Sequence, residues 1–181
     1  LERLQGNFLR LRCEGYTVKW ERHTEFTRYS IVQPLPAHAG WGATLPELAS
    51  HAATGTDWLR SLPGQTVAAI HLAMLPEGMD DPQLLERAQQ WLGEGMLIGS
   101  RMGNTVEGRS HSCLLTHLRI GDDGFERMLV LATANTTESR AGRVSQRVLE
   151  LETYRLMALR GLPVAKQLSP VLAQAESQLA D

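Results

Sequence analysis

The chain has 181 residues, of which 43% are hydrophobic and 21% charged, with a formal net charge of −2. These are ordinary globular values, which exclude wholesale disorder. They also argue against a dedicated DNA- or RNA-coating protein, which carries a strong basic bias. Two cysteines, Cys13 and Cys113, stand in no metal-binding spacing. A reducing compartment without a disulfide framework is the reading they favour. No run of about 18 apolar residues is present, so no segment here is expected to span a bilayer. The chain starts at Leu1 without a Met and ends at Asp181 inside a helical pattern, the expected look of a fragment of a longer protein.

In chain order, residues 1–13 (LERLQGNFLRLRC) place Leu1, Leu4, Phe8 and Leu11 at helical spacing, which predicts an amphipathic helix. GYTVKWE then alternates Tyr16, Val18 and Trp20, the pattern of a half-buried strand. From Glu25 the apolar set shifts to Phe26, Tyr29 and Ile31. One straight strand would keep its parity, so the chain should turn inside KWERHTEFTRYS, giving antiparallel strands near 16–22 and 25–33. Residues 34–66 read as a long surface excursion with short helices at Pro46–Ala52 and over DWLRSLPGQ.

TVAAIHLAML reads as a buried strand, and DDPQLLERAQQWL as a helix with Asp81 as its cap and Pro82 at its first position. MLIGSRMG and VEGRSHSCLLTHLRIG are predicted strands, and DDGF is a hairpin turn leading into the strand ERMLVLATA. A long helix is predicted from Thr137 to Arg160, with a capping box of Asn135 and Glu138 and an apolar stripe through Ala141, Val144, Val148, Leu151 and Ala158. Gly161 and Pro163 should end it. A second helix over 164–180 carries Val164, Leu168, Val171, Leu172 and Leu179.

The fold class expected is α+β: an antiparallel or mixed sheet of about five to six strands covered by helices, with a long C-terminal helix pair. The whole chain, 1–181, reads as one domain, with 164–181 opening a C-terminal helical region.

The densest chemistry lies in KWERHTEFTRYS, where Glu21, His23 and Glu25 alternate. Such a row could hold a metal or move protons, but neighbours along one strand diverge, and the plainer reading is a charged strip paired with arginines. On the long helix, Arg143, Arg147, Glu150 and Tyr154 recur at spacings of 4, 3 and 4 and share a face. They suit either an anion site or an ion-pair lattice with Glu21 and Glu25, and the lattice is preferred. His111 and His117, six apart on one strand and about 20 Å from each other, cannot both bind one metal without a fold-back, and with His71 on another strand they read as core or edge residues. Ser100, Ser110, Ser112 and Cys113 sit in no nucleophile motif, and GSRMGNTVEG lacks the helix and Lys-Ser/Thr pair of a phosphate loop.

KWERHTEFTRYS, LPG before a strand, DDGFERMLV and AGRVSQRVLELETYRLMALRGLPVAKQL together resemble the family of domain of unknown function 3422, over roughly residues 15–170. The resemblance implies a bacterial, membrane-anchored protein that continues into further helices and a C-terminal anchor, with this domain on the cytoplasmic side. It implies no established activity. Where an acidic, aromatic strand motif is expected before the Asp-Gly turn, this chain has His117 and Leu118, which weakens an enzymatic reading.

The function expected is therefore a soluble, non-enzymatic interaction or scaffolding domain without cofactor. Its partner would be an unidentified protein or a second copy held through the C-terminal helices. Contact with a membrane would come only through a segment absent from this chain, and nucleic acid is not expected. The alternative is a small-anion or metal-dependent enzyme or ligand sensor using Glu21, His23, Glu25, Arg143, Arg147 and Tyr154.

Overall fold

A computed structural model describes residues 2–35, 56–76, 82–103, 112–133 and 135–180. Their fold is α+β, with eight strands in two four-stranded sheets and one long C-terminal helix. The expected helix at Pro46–Ala52 lies outside the described residues. Two compact units are formed, one from Leu1–Gly64 with Asp80–Leu97, the other from Gln65–Met79 with Ile98–Asp181.

In the first unit, β1 (Glu2–Gln5), β2 (Phe8–Cys13), β3 (Tyr16–Arg22) and β4 (Thr27–Val32) pair antiparallel in that order. The helix expected over residues 1–13 is thus a hairpin. Gly6-Asn7 is a turn signal, and the three apolar residues Leu9, Leu11 and Cys13 alternate in a way that suits a strand. The predicted turn inside KWERHTEFTRYS is present: the chain reverses between Arg22 and Thr27, and the His23 N–H donates to the Phe26 carbonyl at 2.9 Å.

Register places Leu9, Trp20 and Tyr29 in one row and Leu11, Val18 and Ile31 in another, so one face of this sheet is apolar. The opposite face carries Arg10, Lys19, Glu21 and Arg28. Helix α1 (Thr56–Ser61) sets Trp58 edge-on to Tyr29, 5.9 Å between ring centroids. Helix α2 (Leu84–Leu92) buries Ala88 and Trp91; its cap position is Gln83, two residues beyond the expected Asp81.

In the second unit the sheet order is β5 (Ile70–Leu75), β8 (Glu126–Ala132), β7 (Ser112–Ile120), β6 (Ile98–Met102). β5 runs parallel to β8 and the other pairs are antiparallel, a mixed sheet. Its central strands are buried on both faces: Met128, Leu129, Val130 and Leu131 are all at 1% exposure or less. This is why TVAAIHLAML and ERMLVLATA read as continuous apolar runs.

The β7–β8 hairpin closes on Gly121–Gly124, where Gly124 takes φ +80° and its N–H donates to the Gly121 carbonyl at 2.9 Å. Asp123 Oδ1 accepts from the Phe125 N–H at 3.0 Å, locking the predicted Asp-Asp-Gly turn.

Helix α3 (Glu138–Ala180) is one continuous helix of 43 residues, roughly 65 Å long. The expected pair is therefore fused, and Pro163 and Pro170 lie inside it. An interior proline removes one hydrogen bond, and here the freed carbonyl groups face water, because every residue from Ala158 to Leu179 is exposed. Strong helix formers on both sides (Leu-Met-Ala-Leu-Arg and Val-Ala-Lys-Gln-Leu) carry the helix through. Thr137, in place of Asn135, caps the N-terminus, its Oγ1 accepting from the Arg140 N–H at 3.3 Å. Val144 and Val148 pack on Met128 and Val130, flanked by Ile70, Leu72, Met74 and Leu114.

Candidate functional site

Three constellations concentrate charge. The first is the predicted strip in β3–β4. Glu21 lies 3.9 Å from Arg28 on the neighbouring strand. His23 stacks on Phe26 with ring centroids 4.4 Å apart, and the Arg28 guanidinium sits over the same ring at 5.7 Å. The Phe26 ring thus meets both an imidazole and a guanidinium. Glu25 is exposed in the turn. His23 Nε2, Arg10 Nε and Arg28 Nη2 are buried atoms with no hydrogen-bond partner among the described residues.

The second lies on the first turns of α3. Arg140, Arg143 and Arg147, at spacings of 3 and 4, share one side of the helix. With Met102 and Gly103 at the end of β6, and with Val144, they line a cavity of about 360 Å³. Arg143 donates through Nη1 to Ser139 Oγ at 2.8 Å. Among the described residues no carboxylate lies within ion-pair distance of any of the three. Glu150, expected beside Arg147, instead accepts from Gln146 at 2.9 Å, and Tyr154 is 53% exposed. Glu21, His23 and Glu25 belong to the first compact unit and Arg143, Arg147 and Tyr154 to the second.

The third was not anticipated. Glu126, at the start of β8, is 1% exposed, and Glu152 of α3 is 4% exposed. Arg155 bridges them: its Nε donates to both oxygens of Glu152 at 2.8 Å and its Nη2 to Glu126 Oε2 at 3.4 Å. Burial first, and the adjoining Glu152 carboxyl second, push Glu126 up to about 7, against the opposing pull of Arg155 and Thr116. Glu152 in turn holds Arg155 firmly charged.

Thr116 Oγ1 donates to the Arg127 carbonyl at 2.9 Å, lies 3.4 Å from Glu126 Oε1, and accepts from the Leu118 N–H at 3.1 Å. That last bond holds a bulge between Thr116 and Ile120, where Leu118 takes φ +51°, a strained conformation for a residue with a Cβ. Through Arg155 the cluster ties the helix to the sheet. Its signal was in the sequence. The α3 stripe Ala141, Val144, Val148 continues at the next inward positions with Glu152 and Arg155, where apolar residues would be expected. Leu151, assigned to the stripe from sequence, is 72% exposed.

His71 is buried in β5, His117 is half-buried in β7, and His111 lies outside the described residues. Among the described residues no three His, Cys, Asp or Glu side chains come together as a metal cluster. Cys13 and Cys113 are free.

The family model DUF3422, protein of unknown function, matches residues 2–181. No curated protein and no solved structure matches the chain.

Proposed function

The chain belongs to this family of unknown function, and from the geometry we propose that it is a non-enzymatic interaction domain whose α3 helix associates with a second copy of itself. The observation that carries this reading is the outer half of α3. Val164, Leu168, Val171, Leu172 and Leu179 are between 52% and 88% exposed. Their spacings of 4, 3, 1 and 7 gather them on one side, with Gly161, Ala165 and Ala175 completing a stripe that contains no charge.

On the order of 500 Å² of apolar side chain is left in water per chain, so pairing two copies buries about 1,000 Å², the lower bound of specific interfaces. Light scattering and sedimentation across a concentration series test it. A dimer that Leu168→Glu and Leu172→Glu dissolve is expected, and a monomer at every concentration overturns the reading.

Attachment to a bacterial membrane with the domain on the cytoplasmic side is the further part of the proposal. The family resemblance and the two free cysteines support it. No helix among the described residues is long and apolar enough to cross a membrane, so a segment outside them would hold it there. Fractionation of cells expressing the full-length protein checks this, and recovery entirely apart from membranes overturns it. The alternative expected from sequence, a small-anion sensor, is favoured by the arginine cavity alone.

A further inference from the structure

We propose that the cavity at the start of α3 binds the phosphate group of an organic phosphate through Arg140, Arg143 and Arg147. The inference goes beyond self-association and does not depend on it. Three cations on one side of a helix repel one another. Such a cluster is kept at a cost unless an anion completes it, and no carboxylate does so among the described residues. The guanidinium of Arg143 is oriented by Ser139, so part of its ordering entropy is already spent before a ligand arrives. The first turn of α3 adds the positive end of its dipole, with Arg140 directly on it.

Charge and dimensions narrow the ligand. Arg140 and Arg147 stand about 10 Å apart along the helix axis, with Arg143 between. One phosphate reaches two neighbouring guanidiniums as a bidentate acceptor, and the third cation balances the rest of a dianion. The other walls are Met102, Gly103 and the edge of Val144, itself largely buried in the core, so the apolar surface they offer a ligand comes mainly from Met102. About 360 Å³ is space for a small organic molecule rather than a bare ion. The same phosphate monoester occurs on a soluble metabolite and on an acidic lipid headgroup, and the chemistry of recognition is shared.

The test is a titration of the whole chain with glycerol phosphate and, separately, with phosphatidylcholine vesicles with and without phosphatidic acid. Binding in either arm is expected to weaken at least tenfold in Arg143→Ala/Arg147→Ala. It should recover only partly in Arg143→Lys/Arg147→Lys, which keeps the charge and loses the fork. It should strengthen as the pH rises through the second ionisation of the phosphate, near 6. Binding only to phosphatidic acid vesicles assigns a membrane headgroup, and binding of the soluble ester assigns a metabolite.

Three results overturn the proposal. They are no binding in either arm, binding that the alanine pair leaves unchanged, and equally tight binding of a tricarboxylate. The two positions are exposed, so unchanged melting temperatures separate lost binding from lost folding.

Discussion

Both sheets have four strands, yet they use ionisable residues in opposite ways. The first unit packs many charges into β3–β4, most of them half-buried or exposed, and its one close ion pair there among the described residues, Glu21 with Arg28, is a loose 3.9 Å contact. The strands of the second sheet carry few, but there two carboxylates are buried against a single guanidinium. Charge density along a sequence draws the eye to the first arrangement, whereas energetic consequence follows desolvation and belongs to the second.

The contrast breaks most readily at Arg155. Arg155→Ala leaves Glu126 and Glu152 facing each other uncompensated, and a loss of about 3–5 kcal/mol in urea unfolding is expected. A loss below about 1 kcal/mol would place the pair in surface-like dielectric. Leu129→Ala, at a position with 0% exposure, should cost about 2–5 kcal/mol, and Leu9→Ala in the half-buried first sheet clearly less.

The pH dependence sharpens the same point. Glu126 keeps its proton in the folded state up to about pH 7, whereas its ordinary value is 4.5. Between these values the folded state binds more protons than the unfolded one, so stability falls as the pH rises from about 4.5 through about 7. Urea midpoints at pH 5 and pH 8 should differ in that direction, and Glu126→Gln should flatten the difference.

At the hairpin, Gly124→Ala forces a Cβ into φ +80°, for about 1 kcal/mol by thermal melting. Smallest of all, Glu21→Gln breaks only a 3.9 Å contact to Arg28 and should cost under about 1 kcal/mol. A larger loss would show that β3–β4 is as desolvated as the second sheet.

Much of the fold was legible because period-2 patterns are explicit. Tyr16, Val18 and Trp20 fixed β3, and the parity break after Glu21 located the turn. Two strands at the N-terminus were not, because Leu4, Phe8 and Leu11 satisfy a helical spacing as well as Leu9 and Leu11 satisfy a strand. Gly161 and Pro163 are stop signals in sequence; α3 runs through them where the freed carbonyl groups face water and the helix continues in good helix formers.

Of the candidate site, Arg143 and Arg147 were readable from spacing. Arg140 extends the same pattern by three residues. Glu126 was hidden because its partners arrive from a helix 26 and 29 positions later, and pairing across that distance leaves no local trace. Only the interrupted apolar stripe of α3 hinted at it.

Pro163 and Pro170 are seven residues apart, about two helical turns, and counting around the helix sets both on the side away from Val164, Leu168 and Leu172. Each ring pushes against the carbonyl four residues earlier, those of Leu159 and Lys166, and spreads the helix on its own side. The two wedges act in the same sense, a bias toward bowing the outer half of α3 with its apolar side concave. A rod with built-in curvature of that sign cradles whatever lies along it, and a second copy bowed the same way can coil about the first without either having to be bent.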